Sequence, residues 1–296
     1  MKSSELSQDQ YGTLFMVGTP IGNLEDMSFR AVRILQTVDA IAAEDTRHTG
    51  KLLHHFQIKT PQISYHQHNT KTRTPELIER LLAGQNLALV SDAGMPSISD
   101  PGYELVQACV QAEVSVIPIP GASAVIAALV ASGLPCDRFC FEGFLPNKGK
   151  LRQQRLQDLA AEPRTIVLYE APHRVRQTLQ ALADQVGLDR QITLARELTK
   201  RYEQFWRGSL QAAIAYYHTH EPKGEFTLVL EGRSVITHPP SESDLQAALQ
   251  QLLTQGWSKS RASRQVAQTH SLSRRQVYQL ALQLEEETSI TCAESD

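Results

Sequence analysis

Four loops that combine glycines with polar side chains each follow an apolar segment in the first half of the chain. They cover residues 18–23, 44–48, 91–94 and 118–123. Glycines allow a ligand to approach the backbone closely, and the carboxylates of Glu44 and Asp92 can accept hydrogen bonds from a ribose or an amine. Any one of these loops is explained as well by ordinary turn and cap residues, but four in equivalent positions favour a ligand-binding site.

The segments that precede these loops have the pattern of strands. They are short, continuous apolar runs over residues 14–17, 40–43, 87–90 and 114–119. Helical spacing or helix-start signals predict helices over residues 28–38 and 122–132, through Leu52 and Leu53, from Thr74-Pro75 and from Asp100-Pro101. The alternation predicts a mainly parallel sheet covered on both faces, with the four loops at the strand ends where such sheets bind ligands.

A second set of strands and helices follows residues 135–150, which interrupt the alternation and are predicted to link two lobes. Strands are predicted over residues 165–169, 192–195, 204–206 and 226–230, with helices over 174–186 and 210–217. The connections after Arg196 are short, so we expect some of these strands to pair antiparallel.

The end of the chain is predicted to be helical. His238-Pro239-Pro240 breaks the pattern, and helices are expected over residues 245–253, 260–270 and 274–286. Ser273 and Gln276 have the spacing of a capping box, and the last two helices resemble a helix-turn-helix. The predicted division is therefore an α/β lobe over 12–134, a second α/β lobe over 135–237 and a helical module over 241–288.

The net charge and the distribution of basic residues give opposite indications about nucleic-acid binding. The 296 residues carry a net charge of −3, which argues weakly against a nucleic-acid binder. Basic residues nevertheless cluster at residues 148–155, at 196–201 and at 259–275, and local clusters matter more for phosphate contacts than the sum over the chain.

Cysteine spacing and hydropathy limit the remaining classes. The 4 cysteines are scattered without a second pair at metal-ligand spacing, so we expect reduced thiols and no metal site. Residues 1–10 are polar, and the most apolar run, 122–131, is shorter than the roughly 20 residues of a membrane span. We therefore expect a cytoplasmic protein without a membrane segment.

Several familiar motifs are absent or incomplete. No Gly-x-Gly-x-x-Gly follows a strand, and neither Gly-x-Ser-x-Gly nor His-Glu-x-x-His occurs. Residues 143–150 look like a phosphate-binding loop, but the spacing is one residue too long and Leu151 stands where Ser or Thr must bind Mg²⁺.

The strings Val-Gly-Thr-Pro-Ile-Gly-Asn-Leu (17–24), Ser-Asp-Ala-Gly-Met-Pro (91–96) and Pro-Ile-Pro-Gly-Ala-Ser (118–123) resemble the tetrapyrrole-methylase superfamily. Residues 42–50, 137–139 with 142–146, and 195–200 are similar to the ribosomal RNA methyltransferases within it. Together these strings span residues 12 to about 232. One departure is Met95, where a smaller Thr is expected.

The resemblance implies a fold and an activity. The fold is two α/β lobes with a cofactor cleft between them, assembled as a homodimer. The activity is S-adenosylmethionine-dependent methylation of a cytidine ribose 2′-oxygen in 16S ribosomal RNA, at the decoding site of the small ribosomal subunit (cytidine 1402 in the family).

The resemblance also implies site residues. By matched motif, the cofactor is expected to contact Pro20, Ser91, Asp92, Ala93, Gly94, Ser97, Ile98, Gly121, Ala122, Ser123, Tyr169, Glu170 and Leu198. RNA phosphates are expected to contact Arg47, Lys148, Arg196 and Lys200.

Methyl transfer to a hydroxyl requires alignment of the two reactants, no metal, and optionally a general base. Glu44, Asp45 and Glu197 are the candidate bases. The alternative for Glu44 and Asp45 is an ion pair with Arg47 that shapes the loop.

Two other functions stay open. One is methylation of a macrocyclic small molecule, as elsewhere in the superfamily. The other is a ligand-sensing DNA-binding regulator, in which Arg261, Arg264, Arg274 and Arg275 reach phosphates and Val266, Val277, Tyr278 and Leu280 form the core of the helical module. A helix-turn-helix pattern is also common in purely structural helix pairs.

Overall fold

The computed structural model describes residues 11–233, 242–269 and 272–293, with side chains described up to residue 283. These residues divide into two compact units, within Met1–Arg233 and within Ser234–Asp296. The first unit contains two α/β lobes. No helix in the described ranges combines the length and the apolar character needed to cross a membrane.

The first lobe is built on a five-stranded, entirely parallel sheet with the order β3-β2-β4-β1-β5. Its strands are β1 (Thr13–Val17), β2 (Ala40–Ala43), β3 (Gln62–Ser64), β4 (Leu87–Val90) and β5 (Ser115–Ile119). Its helices are α1 (Phe29–Thr37), α2 (Thr46–His55), α3 (Thr70–Leu82), α4 (Tyr103–Gln111) and α5 (Ala124–Val130). Every residue of β2 and β4 is buried, which confirms the predicted parallel sheet with both faces covered.

The second lobe is a mixed five-stranded sheet with the order β6-β7-β10-β8-β9. Its strands are β6 (Phe139–Phe144), β7 (Thr165–Glu170), β8 (Gln191–Arg196), β9 (Gln204–Ser209) and β10 (Phe226–Leu230). Its helices are α6 (Gly149–Ala161), α7 (Val175–Val186) and α8 (Leu210–Thr219). β6 and β7 pair in parallel, and the pairs of β8, β9 and β10 are antiparallel, as the short connections predicted.

Helix α5 joins the two lobes. Its small residues allow it to lie against β7 and β10 of the second lobe. The buried side chains of Val125 and Leu129 share one apolar cluster with Val167, Ala195 and Val229. The joint is therefore packed like a protein interior, which fixes the walls of the cleft between the lobes.

Three predictions about local structure were wrong. Residues 135–150 are not a plain linker, because they contain strand β6; Glu142 and a bulge between Phe141 and Gly143 conceal its pattern. Pro75 lies inside α3 rather than at its start. The helix begins at the buried residue Thr70, so an extra turn precedes the proline. The helix expected at Asp100-Pro101 begins at Tyr103.

In its described residues the second unit contains three helices, α9 (Glu242–Thr254), α10 (Lys259–Thr269) and α11 (Arg274–Ala293). Val266 and Val277 are buried at its centre, as predicted, and Leu280 packs against them, but Tyr278 is 38% exposed and is not a core residue. Ser273 Oγ accepts a hydrogen bond from the Gln276 N–H at 3.2 Å, the N-cap half of the predicted capping box. The predicted breaker at residues 238–240 lies outside the described residues.

Candidate functional site

The four loops identified in the sequence converge at one edge of the first sheet. Thr19 and Gly94 exchange backbone hydrogen bonds of 2.9 and 3.1 Å, and the Gly18 N–H donates to the Ile119 carbonyl at 3.1 Å. The Asp45 N–H donates to Asp92 Oδ1 at 3.1 Å, which ties the loop after β2 to the loop after β4. The predicted juxtaposition of the loops is therefore confirmed by direct hydrogen bonds.

A cavity of about 360 Å³ opens between these loops and the second lobe. We call it the cleft cavity, and it is lined by Ile21, Ala93, Gly94, Met95, Ile98, Ser99, Asp100, Ser123, Ala124, Phe144, Tyr169, Glu170, Ala171, Pro172, Glu225 and Phe226. Its volume falls in the range of small-molecule and cofactor sites.

Part of the predicted cofactor set lies directly in the wall of this cavity, namely Ala93, Gly94, Ile98, Ser123, Tyr169 and Glu170. Others lie in the loops behind the wall. Ser91 is 2% exposed, and Leu198 packs with Ile21 and Ala122 in the cluster between the lobes. Pro20, Asp92 and Ser97 belong to the same converging loops, next to Thr19 or to lining residues, and Gly121 lies against Gly18.

The lining of the cleft cavity has a distinct electrostatic character. Three acidic residues line it, Asp100, Glu170 and Glu225, and no Lys, Arg or His of the described chain does. Aromatic rings form much of the rest: the ring of Tyr169 lies 5.5 Å from that of Phe144, between centroids. Such a wall favours a ligand that is partly apolar and positively charged.

A group of three carboxylates stands where the loops meet. The Asp92 N–H donates to Glu44 Oε2 at 3.4 Å. Burial raises the pKa of Glu44, and the charges of Asp92 and Asp45 raise it further, against hydrogen bonding from Asp92 and the opposing effect of His66. Burial likewise raises the pKa of Asp100 to about 6, with the charges of Glu44 and Asp92 acting in the same direction.

Asp45 forms the ion pair with Arg47 that is the structural alternative to a role as general base. Its carboxylate caps α2 by accepting from the Arg47 N–H at 2.8 Å, and it pairs with the Arg47 guanidinium at 2.8 Å. These hydrogen bonds hold the pKa of Asp45 well below its usual range. Arg47 pairs with Asp45 and not with Glu44, which keeps its contact to the Asp92 backbone.

Glu197 lies in the loop after β8 with a left-handed backbone, at φ 51°. Its Oε1 accepts from Lys200 Nζ at 3.1 Å and from the Glu225 N–H at 2.9 Å, and Lys200 also pairs with Glu225 at 2.9 Å. Burial opposes ionisation of Glu197, but these hydrogen bonds leave its pKa lowered overall. Of the candidate bases Glu44, Asp45 and Glu197, none appears among the described residues that line the cleft cavity.

The predicted RNA contacts are placed differently from one another. Arg47 is fully solvent-facing, with 89% of its side chain exposed, and Lys148 is exposed at the N-cap of α6. Lys200 is held by two carboxylates, and Arg196 donates to the Lys223 carbonyl. Arg47 and Lys148 therefore present charge to the outside, whereas Arg196 and Lys200 organise the loop they belong to.

Glu170 is the centre of a buried polar network. It is 2% exposed, and its carboxylate accepts hydrogen bonds from Thr178 Oγ1 at 2.5 Å and from the Ala171 N–H at 2.9 Å and forms an ion pair with Arg174 Nε at 3.2 Å. Arg152, itself 8% exposed, donates to Thr178 Oγ1 at 3.1 Å and to the Pro146 carbonyl at 3.0 Å. The network fixes the segment that leads from β6 to Lys148.

Several lining residues were not predicted as site residues, among them Ser99, Asp100, Phe144, Glu225 and Phe226. Asp100 was interpreted as a helix start, although it follows the 91–94 loop closely. A signal for this segment exists only in the backbone, where Ser97 and Ser99 have φ of 74° and 64°. Such strain in residues other than glycine concentrates at functional sites. Among the described residues, no group of three or more His, Cys, Asp or Glu side chains could hold a metal ion.

Comparison with known families gives two matches along the chain. Residues 13–214 match the family described as Tetrapyrrole (Corrin/Porphyrin) Methylases. Residues 239–285 match the family described as RsmI C-terminal HTH domain.

Curated relatives extend over nearly the whole chain. A protein of Synechocystis named ribosomal RNA small subunit methyltransferase I is 62% identical over 93% of this chain and 99% of its own length. Proteins of the same name from Halalkalibacterium halodurans and Escherichia coli O157:H7 are 45% and 44% identical, over 94% and 96% of this chain and 98% and 99% of their own lengths.

Solved structures share the fold at low sequence identity. The methyltransferase CobJ superposes with a TM-score of 0.57 at 18% identity, over 75% of this chain and 95% of its own. The cobalt precorrin-4 methyltransferase CbiF gives 0.56 at 14% identity, over 77% and 98%. Uroporphyrin-III-C-methyltransferase from Thermus thermophilus gives 0.53 at 20% identity, over 74% and 94%.

Proposed function

Because the chain belongs to the tetrapyrrole methylase family, and to the ribosomal RNA small subunit methyltransferase I group within it, we propose that it methylates small-subunit ribosomal RNA. The cofactor is S-adenosylmethionine. The acceptor that we propose is the ribose 2′-oxygen of a cytidine at the decoding site of 16S ribosomal RNA.

One observation carries the assignment of the cofactor to this chain's own residues. The cleft cavity presents carboxylates and aromatic rings, and no basic side chain of the described residues lines it. A nicotinamide dinucleotide or a nucleoside triphosphate needs cationic or helix-end partners for its phosphates, whereas S-adenosylmethionine needs an apolar pocket and negative charge near its sulfonium and ammonium groups. The buried Ser97 Oγ, which has no hydrogen-bond partner among the described residues, supplies a free polar group beside Ile98.

Different residues of the cavity wall contact different parts of the cofactor. Ala93, Gly94 and Ser123 offer backbone at the strand ends, while Ile98 and Tyr169 enclose the apolar part. When bound, the cofactor supplies a methyl group on a positively charged sulfur, which is open to attack by an oxygen. The task left to the protein is to hold that oxygen in line and to keep water away, and a packed joint between the lobes keeps the geometry fixed.

The exposed basic residues bind the phosphates of the RNA. Arg47 borders the loop after β2, and Lys148 stands at the start of α6 on a segment held by Arg152 and Arg174. Charges of this kind bind phosphates and set the register of the RNA without reading its sequence. A splayed-out nucleotide then reaches the cleft.

The assembly and location that we propose follow the family. The enzyme acts as a homodimer, in the cytoplasm, where small ribosomal subunits are found. Ile126 and Val130 lie one helical turn apart on α5 and are 48% and 69% exposed, which is compatible with a covered surface in a dimer. Sedimentation at micromolar concentration tests this part: a single species of monomer mass contradicts it.

Two other functions were considered. A macrocyclic substrate is compatible with the fold shared with CobJ and CbiF, but that likeness concerns the fold alone. A DNA-binding regulator is compatible with three helices that pack around Val266 and Val277. The high identity to proteins named as ribosomal RNA methyltransferases over both units favours the first proposal.

A transfer assay tests the proposal against both alternatives. The protein is incubated with methyl-labelled S-adenosylmethionine and either small ribosomal subunits from cells that lack it, a porphyrinoid or duplex DNA. We expect label in 16S ribosomal RNA alone, at one cytidine ribose that mass mapping identifies. Label in the porphyrinoid, or salt-sensitive DNA binding without any transfer, contradicts the proposal.

A further inference from the structure

We propose that Asp100 is the catalytic residue that takes the proton from the attacking ribose hydroxyl, an inference that rests on the proposed function. The cleft cavity contains three carboxylates, and the other two are already engaged. Glu170 accepts two hydrogen bonds, from the Ala171 N–H and from Thr178 Oγ1, and forms an ion pair with Arg174. The Glu225 side chain is 78% exposed and pairs with Lys200 at 2.9 Å.

Asp100 differs from both in having no cationic partner. No Lys, Arg or His of the described chain forms an ion pair with it, and its hydrogen bond comes from the neutral hydroxyl of Ser91. A carboxylate that is neither neutralised nor saturated keeps the lone pairs that a proton acceptor needs.

The backbone around Asp100 holds it in place. Ser97 and Ser99 are left-handed at φ 74° and 64°, and Gly102 has a φ of 146°. A Cβ on Gly102 would lie 2.3 Å from Ser97 Oγ, so the loop closes tightly on itself around Asp100-Pro101. A side chain on such a loop is fixed before the substrate arrives, which is what general-base catalysis requires.

The groups that face Asp100 make it receptive to a proton. Burial contributes most to the raised pKa of about 6, and the carboxylates of Glu44 and Asp92 add to it, while the Ser91 hydrogen bond opposes them. Tyr169 faces it from β7, with a pKa that burial and the Asp100 charge raise to about 12, so the phenol stays neutral. Protonation of Asp100 therefore relieves repulsion within the carboxylate group.

Charge in the cavity couples this proton to methyl transfer. A cation bound beside the carboxylates lowers the pKa of Asp100 and keeps it ionised before the reaction. During transfer the hydroxyl oxygen forms the new C–O bond, its proton moves to Asp100, and the electron pair of the broken C–S bond stays on sulfur. The positive charge on sulfur is then gone, so Asp100 retains the proton until the products leave.

Two measurements on the full-length protein test the inference. In single-turnover transfer to small subunits, Asp100→Asn should lower the rate by about 100-fold or more and remove the acid limb of the pH profile, which the bound cation shifts below 6. The affinity for S-adenosylmethionine above pH 7 should fall by about tenfold, because Asn lacks the charge that attracts the sulfonium, and the rate of the bound complex should fall in addition. Asp184→Asn, an exposed site on α7, is the matched control and should behave as the wild type.

The second measurement needs no turnover. Calorimetric binding at pH 6 in buffers of different ionisation enthalpy counts the protons exchanged. S-adenosylmethionine should release up to about half a proton more than S-adenosylhomocysteine, since a group at its pKa is half protonated and only the sulfonium repels that proton. Asp100→Asn should remove the difference.

The outcomes separate this inference from the proposed function. If wild type labels small subunits and Asp100→Asn does so at the same single-turnover rate, Asp100 is not the base. A large loss of S-adenosylmethionine affinity in the variant, without a change in the bound-state rate, assigns Asp100 to ligand binding and also overturns the inference. Absence of labelling by the wild type overturns the proposed function itself.

Discussion

Gly18 and Gly121 pass each other backbone to backbone. A Cβ on Gly18 would lie 2.7 Å from Gly121 Cα, and a Cβ on Gly121 would lie 2.8 Å from Gly18 Cα. Neither position has a φ that requires glycine, so the requirement is space. This contact brings the loop after β1 against the loop after β5 and shapes one wall of the cleft.

Replacement of Gly121 should therefore damage the cofactor site. In Gly121→Ala the methyl group must displace backbone, and we expect S-adenosylmethionine affinity to fall by about tenfold or more, with a loss of stability of about 1–3 kcal/mol. Calorimetric binding and urea unfolding measure the two effects. Gly50→Ala, inside α2 with its nearest atom 3.5 Å away, is the control and should be neutral or slightly stabilising. Equal behaviour of the two variants would show that the crossing is not tight.

Arg152 should be needed for stability and for use of the RNA substrate. In Arg152→Met, Thr178 Oγ1 and the Pro146 carbonyl lose their buried donor, so we expect a loss of about 2–4 kcal/mol in the free energy of unfolding. Release of the segment before Lys148 should raise KM for small subunits more than KM for S-adenosylmethionine. Arg155→Lys on the same helix, exposed and 3.7 Å from Glu142, keeps the charge of the basic cluster and should change neither quantity appreciably. A stable Arg152→Met protein with unchanged kinetics contradicts this role.

The ionised carboxylate of Asp100 should lower the free energy of unfolding in the absence of ligands. Its pKa is raised from 3.8 to about 6, so the folded state binds its proton more tightly than the unfolded state does. Stability from this group is complete below pH 4 and is lost as the pH rises through 6. Asp100→Asn should accordingly be more stable than the wild type at pH 7.5, by on the order of 1 kcal/mol once solvent screening is allowed for.

Urea unfolding of both proteins across pH 4 to 8 measures this difference. The gap should close towards pH 4, where the wild-type carboxyl is itself protonated. A gap of opposite sign, or one that is independent of pH, would mean that Asp100 is stabilised as the carboxylate.

The helical module should contribute to RNA binding through exposed arginines. Arg264 on α10 and Arg275 on α11 are exposed, and neither belongs to the apolar cluster of the module. The double change Arg264→Gln and Arg275→Gln should weaken small-subunit binding by about tenfold at moderate salt, since phosphate contacts are salt-dependent. S-adenosylmethionine affinity should stay unchanged. If both affinities fall together, the module acts on the fold instead of on the RNA.

The sequence was sufficient to predict four of the five strands of the first sheet and the meeting of its loops. The edge strand β3 was not predicted, because its three residues contain no apolar run. Ala40–Ala43 and Leu87–Val90 are uniformly apolar because both faces of a parallel strand are covered, so their pattern is unambiguous. Once the strands are parallel, their carboxyl ends must share an edge, and the loops that begin at Gly18 and Ser91 meet there.

The rest depended on contacts that no local pattern contains. β6 is bulged at Gly143 and pairs with a strand more than twenty residues further along, so its sequence has the appearance of a linker. Asp100-Pro101 has the sequence pattern of a helix start, but the folded chain places Asp100 in the wall of the cleft cavity. Glu44 and Asp45 are adjacent in sequence but have different roles. Asp45 caps α2, whereas Glu44 belongs to the carboxylate group, and only their partners in the structure show this difference.

The central claim is that the cleft cavity is shaped and charged for a cationic nucleoside, and direct titration of ligands into the wild-type protein tests it best. We predict saturable uptake of one S-adenosylmethionine per chain, with no detectable binding of ATP or NAD⁺ at the same concentrations. Failure to bind S-adenosylmethionine, or equal uptake of the phosphate-bearing nucleotides, would contradict the account.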